Sequence, residues 1–171
     1  MSYDYSENIL VQESAGNLLR DELGWDVRFA YNTEALGKNG TFGRESYHEI
    51  LLLRYFREAL KKLNPWINDN QISEAQKVLE NRLSTSSLLQ VNEEKYFLIR
   101  DGIPVTVKKP NGQTETKKAA VIDFKNPDNM DNNYFLAIKE LKIHGDLYRR
   151  RTDIVGFVNG IPLLFIELKK N

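Results

Sequence analysis

The chain has no cysteine, a formal net charge of zero and no apolar run long enough to cross a membrane. Without cysteine, disulfides and thiolate metal sites are excluded, and the composition fits a reducing compartment. The first residues also lack the basic segment and apolar core of a secretion signal. Because 41% of the 171 residues are apolar and 28% are charged, we expect one soluble globular domain located in the cytoplasm.

The apolar pattern changes from a helical period to a strand period along the chain. Predicted helices are Ser6 to Glu22, capped by Ser6 and ended by Gly24, then Glu45 to Leu63, Ser73 to Leu83 and Leu88 to Arg100. The predicted inward stripe of the first helix is Ile9, Leu10, Ala15, Leu18 and Leu19. Predicted strands are Trp25 to Tyr31, Ile103 to Val107, Ala119 to Phe124, Tyr134 to Ile143 and the closing hairpin. We therefore predict an α+β fold with a central mixed, mainly antiparallel sheet flanked by helices.

The closing hairpin joins two short apolar runs, Ile154 to Val158 and Leu163 to Ile166, through Asn159-Gly160. Asn-Gly between such runs is a strong signal for a tight turn. A plain two-residue turn would set Asp153 opposite Ile166 and leave Glu167 on the other face. A three-residue loop or a bulge near Pro162, which lacks an N–H for the ladder, would set Asp153 opposite Glu167. We predict this irregular hairpin.

With that register, Asp153, Glu167 and Lys169 form an Asp-x13-Glu-x-Lys arrangement at one end of the hairpin. Two carboxylates supply the hard oxygen ligands that Mg²⁺ prefers, and a metal-held water is a usable nucleophile near neutral pH. Lys169 would orient that water or stabilise charge on a phosphate. The arrangement fits phosphodiester hydrolysis. The alternative is a strand end whose charges simply face solvent.

A chain without net charge can meet a polyanion only through local basic patches. One patch is Arg149 to Arg151, just before Asp153, and another consists of the lysine pairs Lys108-Lys109 and Lys117-Lys118. Such runs are more often solvated faces than binding sites. The arginine run is favoured, because it brings three cations to the proposed metal site, where phosphate must arrive.

Several blocks of this sequence occur together in one family. They are Ser6-Glu7, Leu10-Val11-Gln12, Leu23-Gly24-Trp25, Arg44-Glu45-Ser46-Tyr47, Ala59-Leu60, Leu63-Asn64-Pro65, Asp101 to Val105, Val121 to Phe124, Asn126-Pro127, and Arg151 to Lys169 with Phe157 to Leu163 and Glu167-Leu168-Lys169. With these blocks the chain resembles, over nearly its whole length, the N-terminal domain of the R subunit (HsdR) of type I restriction endonucleases. The last block is highly specific to that family.

The resemblance implies a restriction-endonuclease-like α/β nuclease core of the PD-(D/E)xK superfamily acting on double-stranded DNA. It implies that Asp153 and Glu167 bind Mg²⁺, that Lys169 is catalytic, and that Glu7 of the first helix completes the acidic cluster. Glu13 is the alternative helix acid. The arginines Arg149, Arg150 and Arg151 would bind DNA. In the intact subunit, cleavage would be coupled to ATP-driven translocation and directed by methylation (M) and specificity (S) subunits.

Three features depart from the family pattern. Thr152 stands where the family commonly has proline, and the Gln-x-x-x-Tyr helix that follows the Glu-x-Lys strand in the family is not in this sequence. There is also no Gly-x4-Gly-Lys-Ser/Thr segment for ATP. We therefore expect residues 1–171 to be a nuclease domain truncated at its C-terminus, with the helicase motor and its ATP elsewhere. The piece alone is expected to have little or no nuclease activity.

Other acids and the two histidines have simpler interpretations. His48 and His144 each lack a second ligand at metal spacing, and Asp123 is interpreted as structural. A second hypothesis for the whole chain is a non-catalytic module on the same fold, used for DNA contact or subunit docking.

Overall fold

A computed structural model of the chain describes residues 7–81, 87–125, 131–145 and 147–168, with side chains described from residue 10 onward. It divides into two compact units, one formed by residues 1–56 with 134–171 and the other by residues 57–133. Over the described ranges, no helix has both the length and the apolar character needed to cross a membrane.

The described residues form helices mainly in the first two thirds of the chain. The helices are α1 (Glu7–Asn17), continued by a π-helical turn (Leu18–Glu22), α2 (Leu53–Leu63), α3 (Asp69–Glu80) and α4 (Leu88–Asp101). The strands are β1 (Asp26–Phe29), β2 (Ile103–Lys108), β3 (Thr114–Ala119), β4 (Phe135–Lys139), β5 (Lys142–His144), β6 (Arg149–Arg151), β7 (Ile154–Val158) and β8 (Ile161–Ile166).

The main sheet belongs to the first unit and has the strand order β1-β4-β7-β8. Strand β1 runs parallel to β4, whereas β4 with β7 and β7 with β8 are antiparallel. Two further antiparallel pairs form, β2 with β3 in the second unit and β5 with β6 in the first. The predicted α+β class with a mixed, mainly antiparallel sheet is confirmed.

Each face of the main sheet carries its own apolar cluster. Leu136, Ile138, Val155 and Phe157 point to one cluster, and all are almost fully buried. The alternate residues Ala137 and Ile154 point to the other, where Leu19 packs with Trp25, Ala15 and the β8 residues Leu164 and Ile166. Burial on both faces explains why β7 reads as a continuous apolar run.

The helix predicted over Glu45 to Leu63 begins only at Leu53, so its first eight residues were assigned wrongly. The cause is Arg44, which is 1% exposed. Its guanidinium pairs with both carboxylate oxygens of Glu34 at 2.8 and 2.6 Å and donates to the carbonyl of Glu49 at 3.1 Å. The backbone of Leu52 also donates to Gly160 rather than within a helix. A buried charge must satisfy its hydrogen bonds, and here it does so with the loop backbone.

The strand predicted over Ala119 to Phe124 is also wrong, because β3 ends at Ala119. Beyond it, asparagine side chains take the place of a neighbouring strand. Asn64 donates to the carbonyl of Ala120 at 2.8 Å and accepts its N–H at 2.9 Å. Asn133 pairs in the same two ways with the backbone of Asp123. Hydrogen bonds from side-chain amides that are distant in sequence cannot be predicted from the apolar pattern of a strand.

The first helix differs from its prediction in the face that it buries. Gln12 and Leu19 are buried, whereas Leu10 and Leu18 of the predicted stripe are 54% and 57% exposed. The predicted cap, Ser6, lies outside the described residues. At the other end Gly24 adopts a φ of +70° and its N–H donates to Arg20, which is the predicted stop.

The remaining boundaries shift by a few residues. Helix α3 begins at Asp69 because Asn68 caps it in a capping box, and α4 begins after Ser87 for the same reason. The strand predicted over Tyr134 to Ile143 is divided at Glu140, whose φ is +57°. Strand β6, formed by the arginine run, was not predicted as a strand.

We predict that Gly156→Ala destabilises the main sheet by about 1–3 kcal/mol, the usual cost of overpacking a core. A Cβ on Gly156 would meet the Trp25 ring at 2.8 Å and the Leu164 Cβ at 2.9 Å. Urea unfolding would measure the change in the free energy of unfolding. The matched control is Gly145→Ala, where the nearest atom lies at 3.6 Å, and it should change the free energy by less than about 0.5 kcal/mol. Equal stability of the two variants would contradict the packing.

Candidate functional site

The irregularity predicted for the closing hairpin lies in β8. Asn159 and Gly160 both have positive φ, at 52° and 80°, and Val158 pairs with Ile161, so the turn itself has two residues. Phe157 then pairs with Pro162, but Gly156 pairs with Leu164. Leu163 is therefore a bulged residue, directly after the proline that cannot donate to the ladder. The bulge is confirmed, and the three-residue loop is not formed.

The bulge changes which residues stand opposite each other at the open end of the hairpin. The last ladder pair is Ile154 with Ile166, and the next positions along the two strands are Asp153 and Glu167. Directly opposite residues of antiparallel strands share a face, and their Cβ atoms are about 4.5–5.5 Å apart. Continued by one position beyond the ladder, this register aligns Asp153 with Glu167, and the role of the two acids as metal ligands stays a prediction.

Asp153 is half-buried and held by three neighbours. The N–H of Leu168 donates to its Oδ2 at 2.6 Å, which ties the carboxylate to the end of β8. Its carbonyl accepts two further hydrogen bonds, from the N–H of Glu140 at 2.9 Å and from Nε2 of Gln12 at 3.2 Å. The backbone of Asp153 is therefore fixed by the residue that follows β4 and by α1, while one carboxylate oxygen accepts from the segment that follows β8.

The other predicted site residues are described to different extents. Glu167 follows β8 directly and is exposed. Lys169 lies outside the described residues. Glu7 is the first residue of α1, but its side chain is not described. The proximity of Glu7 and Lys169 to the two acids therefore stays a prediction.

Glu13, the alternative helix acid, lies against a lysine of the sheet. Its Oε1 accepts from Nζ of Lys139 at 2.5 Å, and that lysine side chain is 12% exposed. A carboxylate engaged by an ammonium in this way is less available as a metal ligand. Between the two candidates, the structure describes the contacts of Glu13 alone.

Two residues near Asp153 are not singled out by the sequence. Gln12 donates to the carbonyl of Asp153 and, at 3.5 Å, to Oε1 of Glu140. Glu140 in turn pairs with Arg151 at 3.1 Å. The available signal for Gln12 was its helical spacing from Ala15 and Leu19, which places it on the buried stripe of α1. For Glu140 no local signal exists, because its position follows from the chain reversal between β4 and β5.

The arginine run forms β6, in which all three side chains are exposed. It pairs with β5, setting Arg149 opposite His144 and Arg151 opposite Lys142. The guanidinium of Arg151 lies 4.5 Å from the centre of the Tyr31 ring, and Nζ of Lys142 lies 5.1 Å from the same ring. The run is thus linked to Asp153 through the chain of contacts from Arg151 to Glu140 and Gln12.

The electrostatic effect of this basic strand is visible on a neighbouring imidazole. The pKa of His144 is lowered from its ordinary value, first by partial burial and then by Arg149 and His48. The His48 and His144 rings lie edge to face with centroids 5.8 Å apart. This pairing is an aromatic contact, and within the described ranges the two histidines are not part of a group of three or more potential metal ligands.

Asp123 is the acid in the segment that was predicted to be a strand after β3. Its carboxylate is hydrogen-bonded to neighbouring residues. Its oxygens accept from Nδ2 of Asn132 at 2.8 Å and from the N–H of Lys125 at 2.9 Å. These hydrogen bonds lower the pKa of its carboxyl. The contacts agree with the structural interpretation of this residue.

The donor set of Asp153 and Glu167 suits a hard divalent cation. Both donors are carboxylates, and Mg²⁺ is commonly held by one or two carboxylates with water completing its shell. Across residues 7–81, 87–125, 131–145 and 147–168, three or more acidic or histidine side chains do not converge on one point. The described residues therefore fit a two-carboxylate Mg²⁺ site and do not form a larger protein cage.

Comparison with known proteins gives a consistent family. A family model described as "Type I restriction enzyme R protein N terminus" matches residues 4–171. The type I restriction enzyme HindI endonuclease subunit of Haemophilus influenzae is 32% identical over 148 residues, covering 86% of this chain and 13% of that protein. The putative type I restriction enzyme MjaIXP endonuclease subunit of Methanocaldococcus jannaschii is 29% identical over 129 residues, covering 74% and 12%. No solved structure matches the chain.

We predict that cysteines introduced at Asp153 and Glu167 oxidise readily to a disulfide, because opposite residues of a ladder have nearby Cβ atoms on one face. Because the chain has no cysteine of its own, any intramolecular disulfide that mass spectrometry detects in the double variant joins these two positions. The matched control pairs Asp153→Cys with Ile166→Cys, which points to the other face. A control pair that oxidises faster than the first would show the register to be wrong.

Proposed function

Because the chain belongs to the family of type I restriction enzyme R protein N termini, we propose that it is the nuclease domain of a type I restriction enzyme R subunit. Its reaction is the Mg²⁺-dependent endonucleolytic cleavage of double-stranded DNA. The chain spans about an eighth of the length of the relatives it matches, so the activity is proposed for this domain within a longer protein.

The observation that carries the proposal is the bulge at Leu163. A regular two-residue hairpin would place Asp153 opposite Ile166, whereas the bulged strand brings Asp153 opposite the position of Glu167. Two carboxylates side by side repel each other, which is unfavourable unless a cation lies between them. A paired-acid end of an otherwise apolar hairpin is therefore better explained by a metal site than by a solvent-facing strand end.

In the proposed site, Asp153 and Glu167 hold Mg²⁺, with Glu7 as a third acid. A bound Mg²⁺ supplies Lewis-acid stabilisation of charge on the scissile phosphate and a water of lowered pKa. Leu168 and Gln12 fix the carboxylate and the backbone of Asp153, so that its other carboxylate oxygen is presented to the metal with little loss of side-chain entropy. Lys169 acts on the attacking water or on the charge that develops at phosphorus.

DNA is proposed to approach along β6. Arg149 and Arg150 are exposed cations on the strand that leads into Asp153, and Arg151 adds a third charge close to Glu140. Contacts of this kind bind phosphates and position the duplex without reading its sequence. Sequence recognition is therefore assigned to a specificity subunit.

The remaining elements of the proposal concern the longer protein. The relatives are named as endonuclease subunits of type I restriction enzymes, which agrees with a role inside a multisubunit complex. We propose methylation and specificity subunits as partners and coupling of cleavage to ATP-driven translocation by a motor elsewhere in the subunit. ATP is therefore not a ligand of this chain in the proposal.

A second candidate function is a non-catalytic module for DNA contact or subunit docking. It is favoured by two ion pairs, Glu13 with Lys139 and Glu140 with Arg151, because each engages an acid that could otherwise bind metal. In the described part of the site, the acids proposed to bind metal are then Asp153 and Glu167. The two candidates differ in whether those two acids bind metal and are needed for cleavage.

We predict that Asp153→Asn and Glu167→Gln each weaken Mn²⁺ binding to the chain by at least about tenfold in calorimetry, the loss expected even for outer-shell partners of a metal. In the assembled enzyme, both variants and Lys169→Ala should lose plasmid cleavage while ATP hydrolysis is unchanged. Glu93→Gln, an exposed acid on α4, is the control and should bind and cut like wild type. Full cleavage by the Asp153 and Lys169 variants would leave only the docking function.

A further inference from the structure

A pocket of about 440 Å³ lies within the second unit, away in sequence from Asp153 and Glu167. It is formed by the last residues of α2 and α4, by the end of β3 and by the irregular segment that follows it. Among the residues that the structure describes, the charged side chains of its lining are four cations, Lys62, Arg100, Lys118 and Lys125, and two carboxylates, Asp101 and Asp123. These described residues carry a formal charge of +2 in a chain whose net charge is zero.

The two carboxylates of the pocket are occupied by internal contacts. Asp101 accepts from Nε and Nη2 of Arg100 at 2.6 and 2.8 Å, and Arg100 holds the pKa of that carboxyl below its ordinary value. Asp123 is engaged by Asn132 and by the Lys125 N–H, which lower its pKa in the same way. Both acids are thus ionised at neutral pH with their oxygens already paired.

The four cations differ in whether they already bind groups of the protein. Arg100 packs over Phe97 with a 4.7 Å distance to the ring centre and pairs with Asp101, so its position is explained by contacts within α4. Lys62 donates to the carbonyl of Asp131 at 2.7 Å. Lys118 and Lys125 are exposed, and neither makes an ion pair in the part of the chain that the structure describes. Two ammonium groups are therefore available to a ligand.

An aromatic ring stands beside these lysines. Phe124 lines the pocket and is 55% exposed, although its neighbour Ile122 is 6% exposed. The exposed ring offers a flat apolar surface beside the cations of the pocket. Aromatic rings next to lysines and arginines are the usual surface on which nucleobases stack while the cations meet phosphates.

We propose that this pocket binds a phosphate joined to a nucleobase, with Lys118 and Lys125 contacting the phosphate and Phe124 stacking on the base. A free nucleotide and a single strand of DNA both present this group. The pocket is independent of the proposed metal site, because none of its residues is an acid or lysine of that site.

The test measures binding of the chain to three probes without divalent cation: a fluorescent ten-residue oligothymidylate, thymidine 5′-monophosphate and inorganic phosphate. Lys118→Gln with Lys125→Gln should weaken oligonucleotide binding about tenfold at 0.1 M salt. It should also reduce the slope of log K against log salt by about 0.7, since the one phosphate that both lysines contact contributes about 0.7 on a single strand. The matched control is Lys38→Gln with Lys77→Gln, which removes two exposed charges outside the pocket and outside the basic patches.

Phe124 separates base stacking from simple anion binding. Phe124→Ala should weaken binding of the oligonucleotide by about fivefold or more. It should leave the salt slope of that binding and the affinity for inorganic phosphate unchanged. Phe124→Trp should retain binding, and circular dichroism checks that both variants fold. Displacement of the oligonucleotide by thymidine monophosphate identifies a nucleotide site, whereas no displacement identifies a strand site.

Two results would overturn the proposal. One is equal loss of affinity in the pocket pair and in the control pair of lysine variants, which would indicate a general charge effect. The other is wild-type binding by Phe124→Ala. Because Asp153 and Glu167 are intact and no metal is added, either result leaves the proposed nuclease site untested and separate.

Discussion

Side chains alternate between the two faces of a β-strand, so one unpaired residue reverses the face of every residue beyond it. In β8 that residue is Leu163, and the residue beyond it that matters is Glu167. The apolar side chains Leu164 and Ile166 remain in the cluster with Trp25 and Ile154, while Glu167 aligns with Asp153. Hydrophobic burial and the pairing of two acids are thus satisfied by the same register.

The surroundings of Asp153 make this alignment rigid. A strand end would ordinarily fray, but the carbonyl of Asp153 is bonded to Glu140 and to Gln12, and its carboxylate is bonded to Leu168. Gln12 also connects α1 with Glu140, which pairs with Arg151 of the basic strand. Asp153 and Arg151, one of the cations proposed to bind DNA, are therefore linked through Gln12 and Glu140, and a displacement of Arg151 would be transmitted to Asp153.

The sequence was most informative where local pattern decides the structure. Asn159-Gly160 predicted the turn, Pro162 predicted the irregularity beside it, and the family resemblance is confirmed by the match over residues 4–171. The sequence was least informative where distant side chains replace backbone partners. Arg44 binds the backbone of the residues before Leu53, which therefore form a loop instead of the predicted helix. Asn64 and Asn133 bind the backbone of a segment that was predicted to be a strand. The role of Gln12 depends on such a distant contact as well, so the amphipathic pattern of α1 correctly predicted Ala15 and Leu19 in the core but missed Gln12 and wrongly placed Leu10 and Leu18 there.

If the register at the open end of the hairpin creates the metal site, two variants of β8 should differ in Mn²⁺ binding. Deleting Leu163 removes the bulge but keeps every ladder pair, so the folded variant should bind Mn²⁺ within about threefold of wild type. Inserting one alanine between Ile166 and Glu167 also keeps the ladder but turns Glu167 to the other face, and binding should be lost. Retained binding in the insertion variant, or lost binding in a folded deletion variant, would show that this register does not create the metal site.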